Sequence, residues 1–406
     1  MVSSSCIQLS NDCEIVTAKN FDEIEAIRPI WEQMQHNEPF AVPNADVRRY
    51  VAGIKALGDE AQPYIVLAKL GGCPAAMVIG RIGKHPVAFR LGYKTISSPI
   101  LKCLSIVYGG VIGQPSRELC SLLLSDLTGA LRRREADVVF FNHLRTDSPV
   151  SQLCETMPHF VTRSHCVSAE SHWQTDIPKS VDEFYSRIPK SRKQRWCRNF
   201  RNLEKMSSSG FNVVCYRDIN EVEYLIDVVC RIERSTYKNG LNIGFTDSVL
   251  NRALLEQAAR DDWLRAYVLY IGDEPCAFQL DIQYDKVQFT EYGSFNPRWG
   301  HGSPGIVLLL KVLEELCGDM EVVAMDYGFG NASYKEKLGT NCWLEKSVYI
   351  YAPRLHPIVV NMAMFANLAF SRVLNWTAAH LNLDSSIKRY WRRMMCNGRE
   401  TNCTQE

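Results

Sequence analysis

Strong charge imbalance is missing from this sequence, and so are ordered cysteine pairs and long apolar runs. Its 46 Lys and Arg against 45 Asp and Glu leave a net charge of +1, too little to coat nucleic acid with the whole surface. The 15 cysteines are scattered, odd in number and contain no C-x-x-C pair, which argues against a disulfide scaffold or a spelled-out zinc site and for a reducing compartment. The first residues, MVSSSCIQLSNDCEIV, carry no basic segment followed by an apolar core, so no secretory signal is read and a cytoplasmic location is expected. Residues 357–371 hold no charge but fall short of the roughly 20 apolar residues that cross a bilayer.

That last stretch is expected to be an amphipathic helix. Asn361, Asn367, Ser371, Arg372 and Asn375 fall on one arc, and Met362, Phe365, Ala369, Val373 and Trp376 on the other. It is read as packed on the protein body, with the basic KRYWRR of residues 388–393 keeping a peripheral seat on a membrane open. The His380-to-Asp384 H-x-x-x-D spacing lies in this tail, away from any strand end, and is set aside.

At 406 residues the chain exceeds one ordinary core, so two domains are expected, with the 46% apolar and 22% charged residues of a globular protein. Strands are read at 14–18, 64–69, 75–82, 105–112, 138–142 and 172–177, with helices at 21–35, 47–57 and 117–133. A similar element order returns after a helical stretch at 181–206. It comprises a strand at 212–216, helices at 222–236 and 248–260, strands at 265–270, 276–284 and 286–295, and a helix at 304–317. A strand at 322–327, a short helix at 334–338 and a strand at 347–351 complete it. The expected organisation is α/β: two domains, 1–178 and 179–352, and a basic helical tail, 353–406.

The richest segment is Arg298-Trp-Gly300-His-Gly302-Ser303-Pro304-Gly305, which runs into an apolar helix. Ser303 is expected as N-cap and Pro304 suits the first helical position. Glycines and unpaired helix-start N–H groups together make an anion site, best suited to phosphate; capping by Ser303 and water is the plainer alternative. The sequence is not a nucleophile elbow, because glycine directly precedes Ser303. Asp326-Tyr-Gly328-Phe-Gly330-Asn331-Ala-Ser333-Tyr334-Lys335 follows a β-branched strand and opens a helix. Ligands sit at such strand ends, where a tyrosine can protonate a leaving thiolate and a lysine can hold a phosphate or polarise a carbonyl. An ordinary turn with an exposed Tyr-Lys pair reads equally well. Glu291 precedes Gly293 on a strand where a bulge is expected; it is either a general base or a solvated edge carboxylate.

Residues 187–205 hold eight basic residues against Glu204 alone. After Pro189, Trp196, Phe200 and Leu203 face one way and Arg195, Arg198, Asn202 and Lys205 the other. This is a packed helix with a solvated basic face, or a face for a nucleotide 3′-phosphate, a sugar nucleotide, anionic lipid or RNA.

Ser191-Arg-Lys-Gln-Arg195 through Leu203-Glu204, Glu233-Arg-Ser235 with Tyr237-Lys238, Ser303-Pro304-Gly305, and Asp326-Tyr-Gly-Phe-Gly330 with Tyr334-Lys335 together resemble the GNAT acyltransferase superfamily. The branch they are most similar to is the one named for cellulose-biosynthesis acetyltransferases (CelD/BcsL type). The likeness covers residues 180–352, and the first half resembles the diverged partner domain of tandem GNAT proteins. It implies tandem GNAT-like domains, each a mixed, mostly antiparallel sheet flanked by helices, with acetyl-CoA or another acyl-CoA as donor. It also implies direct N- or O-transfer to a sugar, sugar nucleotide or other small acceptor in polysaccharide biosynthesis, without a metal. Arg298, Gly300, Gly302, Ser303 and Gly305 then bind the pyrophosphate, although Pro297 holds the place where the family pattern has Arg or Gln. Tyr334 is the acid, with Lys335, Glu291 and Asp326 as further catalytic candidates. Two alternatives stand beside this: an aminoacyl-tRNA-dependent transferase of the peptidoglycan-bridge type, and a non-catalytic scaffold.

Overall fold

A computed structural model describes residues 13–91, 94–165, 167–207, 210–236 and 244–380. Tyr237, Lys238, Asp384 and the KRYWRR run lie outside the described residues. The described chain forms two compact units, one from residues 13–170 and 344–380, the other from 171–343.

In the first unit the order is β1 (Cys13–Ala18), α1 (Phe21–His36), α2 (Val47–Leu57), β2 (Ala61–Leu70), β3 (Cys73–Pro86), the small hairpin β4 (Phe89–Leu91) and β5 (Lys94–Ser97), β6 (Ile100–Ile112), α3 (Arg117–Arg132), β7 (Val138–Arg145) and α4 (Pro149–Thr156). Helix α1 starts where the Asn20 side chain accepts from Glu23 N–H, satisfying one helix-start donor, while the Glu23 carboxylate reaches back to accept from Lys19 N–H ahead of the cap. Its buried Ile24, Ile27 and Trp31 recur at helical spacing. Helix α3 is capped by Ser116, whose side chain accepts from Leu119 N–H, and buries Leu119, Leu123, Leu127 and Leu131 in the sheet core. Strands β1, β2, β3 and β6 pair antiparallel, whereas β6 and β7 run parallel over Cys103–Ile106 and Val138–Phe141.

The second unit repeats the plan. It holds β8 (Glu170–Asp176), α5 (Val181–Ser186), α6 (Lys190–Glu204), β9 (Phe211–Tyr216), α7 (Val222–Arg234), α8 (Val249–Arg260), β10 (Leu264–Ile271), β11 (Glu274–Tyr284), β12 (Val287–Phe295), α9 (Pro304–Leu316), β13 (Ala324–Phe329) and α10 (Ser333–Leu338). The order β9-β10-β11-β12-β13-β8 is antiparallel except for parallel β12 and β13. The helical stretch expected at 181–206 is two helices, because Pro189 cannot donate a helical bond and disfavours the helical conformation in the residue before it. The chain then returns to the first unit, where β14 (Asn341–Tyr351) pairs Glu345–Tyr351 against β7 and α11 (Leu355–His380) follows.

Helix α11 corrects the expected facing of the tail. Asn361 is buried and donates to the carbonyls of Val161 and Arg163, and Val360 is buried beside it. Met362, Phe365, Phe370 and Val373 are exposed instead. Two carbonyls needing a donor outweigh the apolar side chains in choosing which arc turns inward. Among the described residues no helix is long and apolar enough to cross a membrane.

Candidate functional site

In the second unit, β12 and β13 stay paired only from Val287–Phe289 against Ala324–Asp326. Beyond that point β12 follows β11 and β13 follows β8, so the sheet opens between them. The register on β11 jumps from Asp281 opposite Thr290 to Leu280 opposite Tyr292, which leaves Glu291 as the extra residue of a bulge. Behind the bulge, the Tyr292 ring meets Phe245 edge-on at 5.5 Å. Phe245 N–H donates to Glu233, which also accepts from the Thr236 hydroxyl at 2.9 Å. The Glu-Arg-Ser segment therefore braces the bulge from within.

At the mouth of this opening, Pro297–Gly302 makes a 3-10 turn and α9 begins. Ser303 departs from expectation: it is left-handed (φ 52°, ψ 52°) and its side chain caps nothing. Its carbonyl accepts from Ile306 and Val307, Pro304 has no N–H, and Gly305 N–H has no partner among the described residues. An unfilled donor at the start of a 13-residue apolar helix is what an anionic group needs. The glycines separate by role. A Cβ on Gly302 would lie 2.3 Å from Leu203 Cδ2, so Gly302 is required by packing of α6 against the turn. Cβ atoms on Gly300 and Gly305 would meet only the Phe295 ring, at 4.0 and 3.4 Å, leaving that side of the loop approachable. Arg298 is exposed, pairs with Glu274 at 3.4 Å and stacks its guanidinium over Trp299.

Across the opening, α10 presents Tyr334 and Lys335. The Lys335 ammonium is buried and donates to the carbonyls of Phe329 (2.7 Å) and Gly328 (3.3 Å), holding the Gly-Phe-Gly bend. Asp326 is buried as well. His172 Nε2 donates to its two oxygens at 2.7 and 2.9 Å, Gly328 N–H donates at 2.7 Å, and the His172 ring stacks on Trp343. Both residues thus shape the bend that carries α10, Gly328 taking φ 69° there. Tyr334 is largely buried, packs edge-on against Tyr327, and has its phenol held above the ordinary value, first by burial and then by the charge of Asp281.

Asp281 is the residue that motif reading passed over. It is fully buried on β11, and one oxygen accepts from Gln279 (2.7 Å) and Gln288 (2.6 Å). The other oxygen and Gln288 Oε1 have no partner among the described residues. Burial foremost, with a contribution from the Glu291 charge, pushes its carboxyl up to about 7 against the pull of Gln279, Gln288 and Thr290. Asp281 is therefore within electrostatic reach of both Glu291 on the bulge and Tyr334 on α10.

The basic helix α6 packs Trp196, Phe200 and Leu203 into the core, and Arg195, Arg198 and Lys205 face solvent. Arg192 reaches the carbonyl of Lys337 at the end of α10. Among the described residues no group of three or more His, Cys, Asp or Glu is placed to hold a metal ion.

Residues 190–336 match the family described as Acetyltransferase (GNAT) domain. The match spans α6 through α10, so the opening, the α9 corner, Asp281 and Tyr334 all lie within it. No curated protein matches the sequence. Among solved structures the chain is similar to a tandem GNAT protein from the clavulanic acid biosynthesis pathway (12% identity, TM-score 0.51), over 84% of this chain and 99% of the other. It is also similar to FemX (10% identity, TM-score 0.53), over 83% of this chain and 97% of the other. At these identities the likeness is one of fold, and the fold is that of tandem GNAT-like units with a C-terminal helix.

Proposed function

Because residues 190–336 match the family described as Acetyltransferase (GNAT) domain, we propose transfer of an acyl group, acetyl foremost, from acyl-CoA to an amine or hydroxyl on a sugar or sugar nucleotide in polysaccharide assembly. The observation that carries the donor assignment is the uncapped α9 start, with Gly305 N–H unfilled, at the mouth of the opening between β12 and β13. In this reading the α9 amides grip the pyrophosphate and the opening receives the pantetheine arm. The acceptor lone pair attacks the thioester carbonyl, Glu291 takes the acceptor proton, and Tyr334 gives its proton to the departing sulfur. A phenol held protonated by burial and by Asp281 suits the last role. Lys335 and Asp326 position Tyr334 through the Gly328 bend and touch no substrate. Isothermal titration of acetyl-CoA and CoA tests the donor, and absence of heat from both on folded protein rejects it. Thiol release against a panel of amino sugars and sugar nucleotides tests the acceptor, and a silent panel rejects that half of the reading.

The apolar arc exposed on α11 supports a peripheral seat on an anionic membrane, with Lys388, Arg389, Arg392 and Arg393 following in sequence. Co-sedimentation with vesicles containing phosphatidylglycerol, lost in a Met362→Glu, Val373→Glu double variant, is the expected result. Equal sedimentation of both proteins removes this part.

A further inference from the structure

The first unit opens its sheet in the same way, and what lies there is different. Parallel pairing of β6 with β7 ends at Ile106 and Phe141, and β6 then makes a wide bulge, its partners on β3 jumping from Ile106 opposite Gly80 to Val111 opposite Val78. A cavity of about 470 Å³ occupies the gap, within the size range of small-molecule sites. Its deep walls are apolar, built by Val42, Ile106, Val107, Phe141 and Val150. Two of the six non-glycine residues with positive φ among the described residues, Gln114 (50°) and His143 (52°), line it. Such backbone conformations persist where the surroundings hold them, and they concentrate at ligand sites.

The corner that would hold a diphosphate is already filled. Glu38 accepts from Gly113 N–H at 2.9 Å, and α3 is capped by Ser116, so an anion entering there meets a carboxylate instead of unfilled amides. A second carboxylate, Glu345, is 2% exposed in the lining, takes the Tyr108 hydroxyl at 3.3 Å, and faces Arg145 across the β7–β14 register. The Arg145 guanidinium is itself bonded to Asp147 through two nitrogens. The charged lining thus holds two carboxylates against one guanidinium, whose charge is shared between Asp147 and Glu345.

We propose that this cavity is a second ligand site, distinct in chemistry from the acyl-CoA site, and that it takes an amphiphile with an aliphatic body and a primary amine head. The apolar walls accept the chain, and the carboxylate balance favours the cation over neutral or anionic heads. The inference concerns binding in the first unit and does not depend on acyl transfer by the second.

The test titrates the full chain with n-octylamine, 1-octanol, octanoate and octyl phosphate, each below its aggregation limit. Octylamine should bind at least tenfold more tightly than octyl phosphate. Glu345→Gln should bring octylamine and octanol to similar affinity, and Glu38→Gln should improve octyl phosphate several-fold. Val107→Trp, which fills the cavity, should abolish octylamine binding. If that variant does not fold, the two carboxylate variants, of which Glu38 is the outer one, carry the test. No binding of any probe, an anionic probe that binds as tightly as the amine, or octylamine affinity unmoved by Glu345→Gln overturns the proposal.

Discussion

The two units share a sheet plan and diverge at one corner. Each ends a short parallel pairing, opens, and begins a helix near the gap: α3 after β6, α9 after β12. In the first unit that helix is capped by Ser116 and the loop before it is tied to Glu38. In the second, Ser303 is turned left-handed, caps nothing, and leaves Gly305 N–H unfilled. A helix start that is satisfied internally contributes to stability, and one left unsatisfied is available to a ligand. Their interiors differ too. The first buries Val78, Ile82, Ile106 and Phe141 in one apolar cluster, whereas the second buries the polar Asp281, Gln279 and Gln288 in β11 and β12.

The sharpest way to break the comparison is to load both gaps with a side chain they cannot hold. A Cβ at Gly109 would lie 2.1 Å from Val42 Cγ2, and at Gly302 2.3 Å from Leu203 Cδ2. Valine at either should cost more than about 3 kcal/mol in chemical denaturation, whereas Gly305→Ala should move the midpoint little. Next comes pH. Asp281 has a folded pKa near 7, above its unfolded value, so the folded state binds the extra proton between about pH 4 and 7. Stability should therefore fall as pH rises through that window, by up to about 4 kcal/mol, and level off above it. Asp281→Asn should remove most of that slope in a series of thermal melts. Smaller in energy is Tyr334→Phe, expected to lower kcat by about 10- to 100-fold with acetyl-CoA affinity nearly unchanged, since the phenol acts as sulfur leaves. Equal losses in rate and affinity would assign Tyr334 to binding. Last, Ser116→Ala should cost about 1 kcal/mol and Ser303→Ala close to nothing; equal costs would mean that both helix starts are capped in solution.

Periodicity carried much of this architecture. Helix 47–57 and the start of α9 at Pro304 stand where the apolar spacing and the Ser-Pro signal put them. Contacts between distant residues were not legible. The reason for glycine at 302 is Leu203, and the reason for Lys335 is two carbonyls freed by the Gly328 bend. Asp281 escaped because Gln279, Asp281 and Gln283 alternate with apolar residues, the pattern of a solvent-facing strand side. A strand does not record which of its faces a helix will cover. Helix α4 and the β4–β5 hairpin are too short for periodicity to declare.

The route of the polypeptide through its two units has a bearing on biosynthesis. Residues 171–343 form one unbroken stretch, while the other unit needs Glu345–Tyr351 to complete its sheet. During translation the amino-terminal portion emerges first yet must wait for its last strand, and the portion in between can finish ahead of it. A frameshift or stop codon shortly after position 343 would consequently leave the earlier-made unit with an open sheet edge, exposed to aggregation and proteolysis.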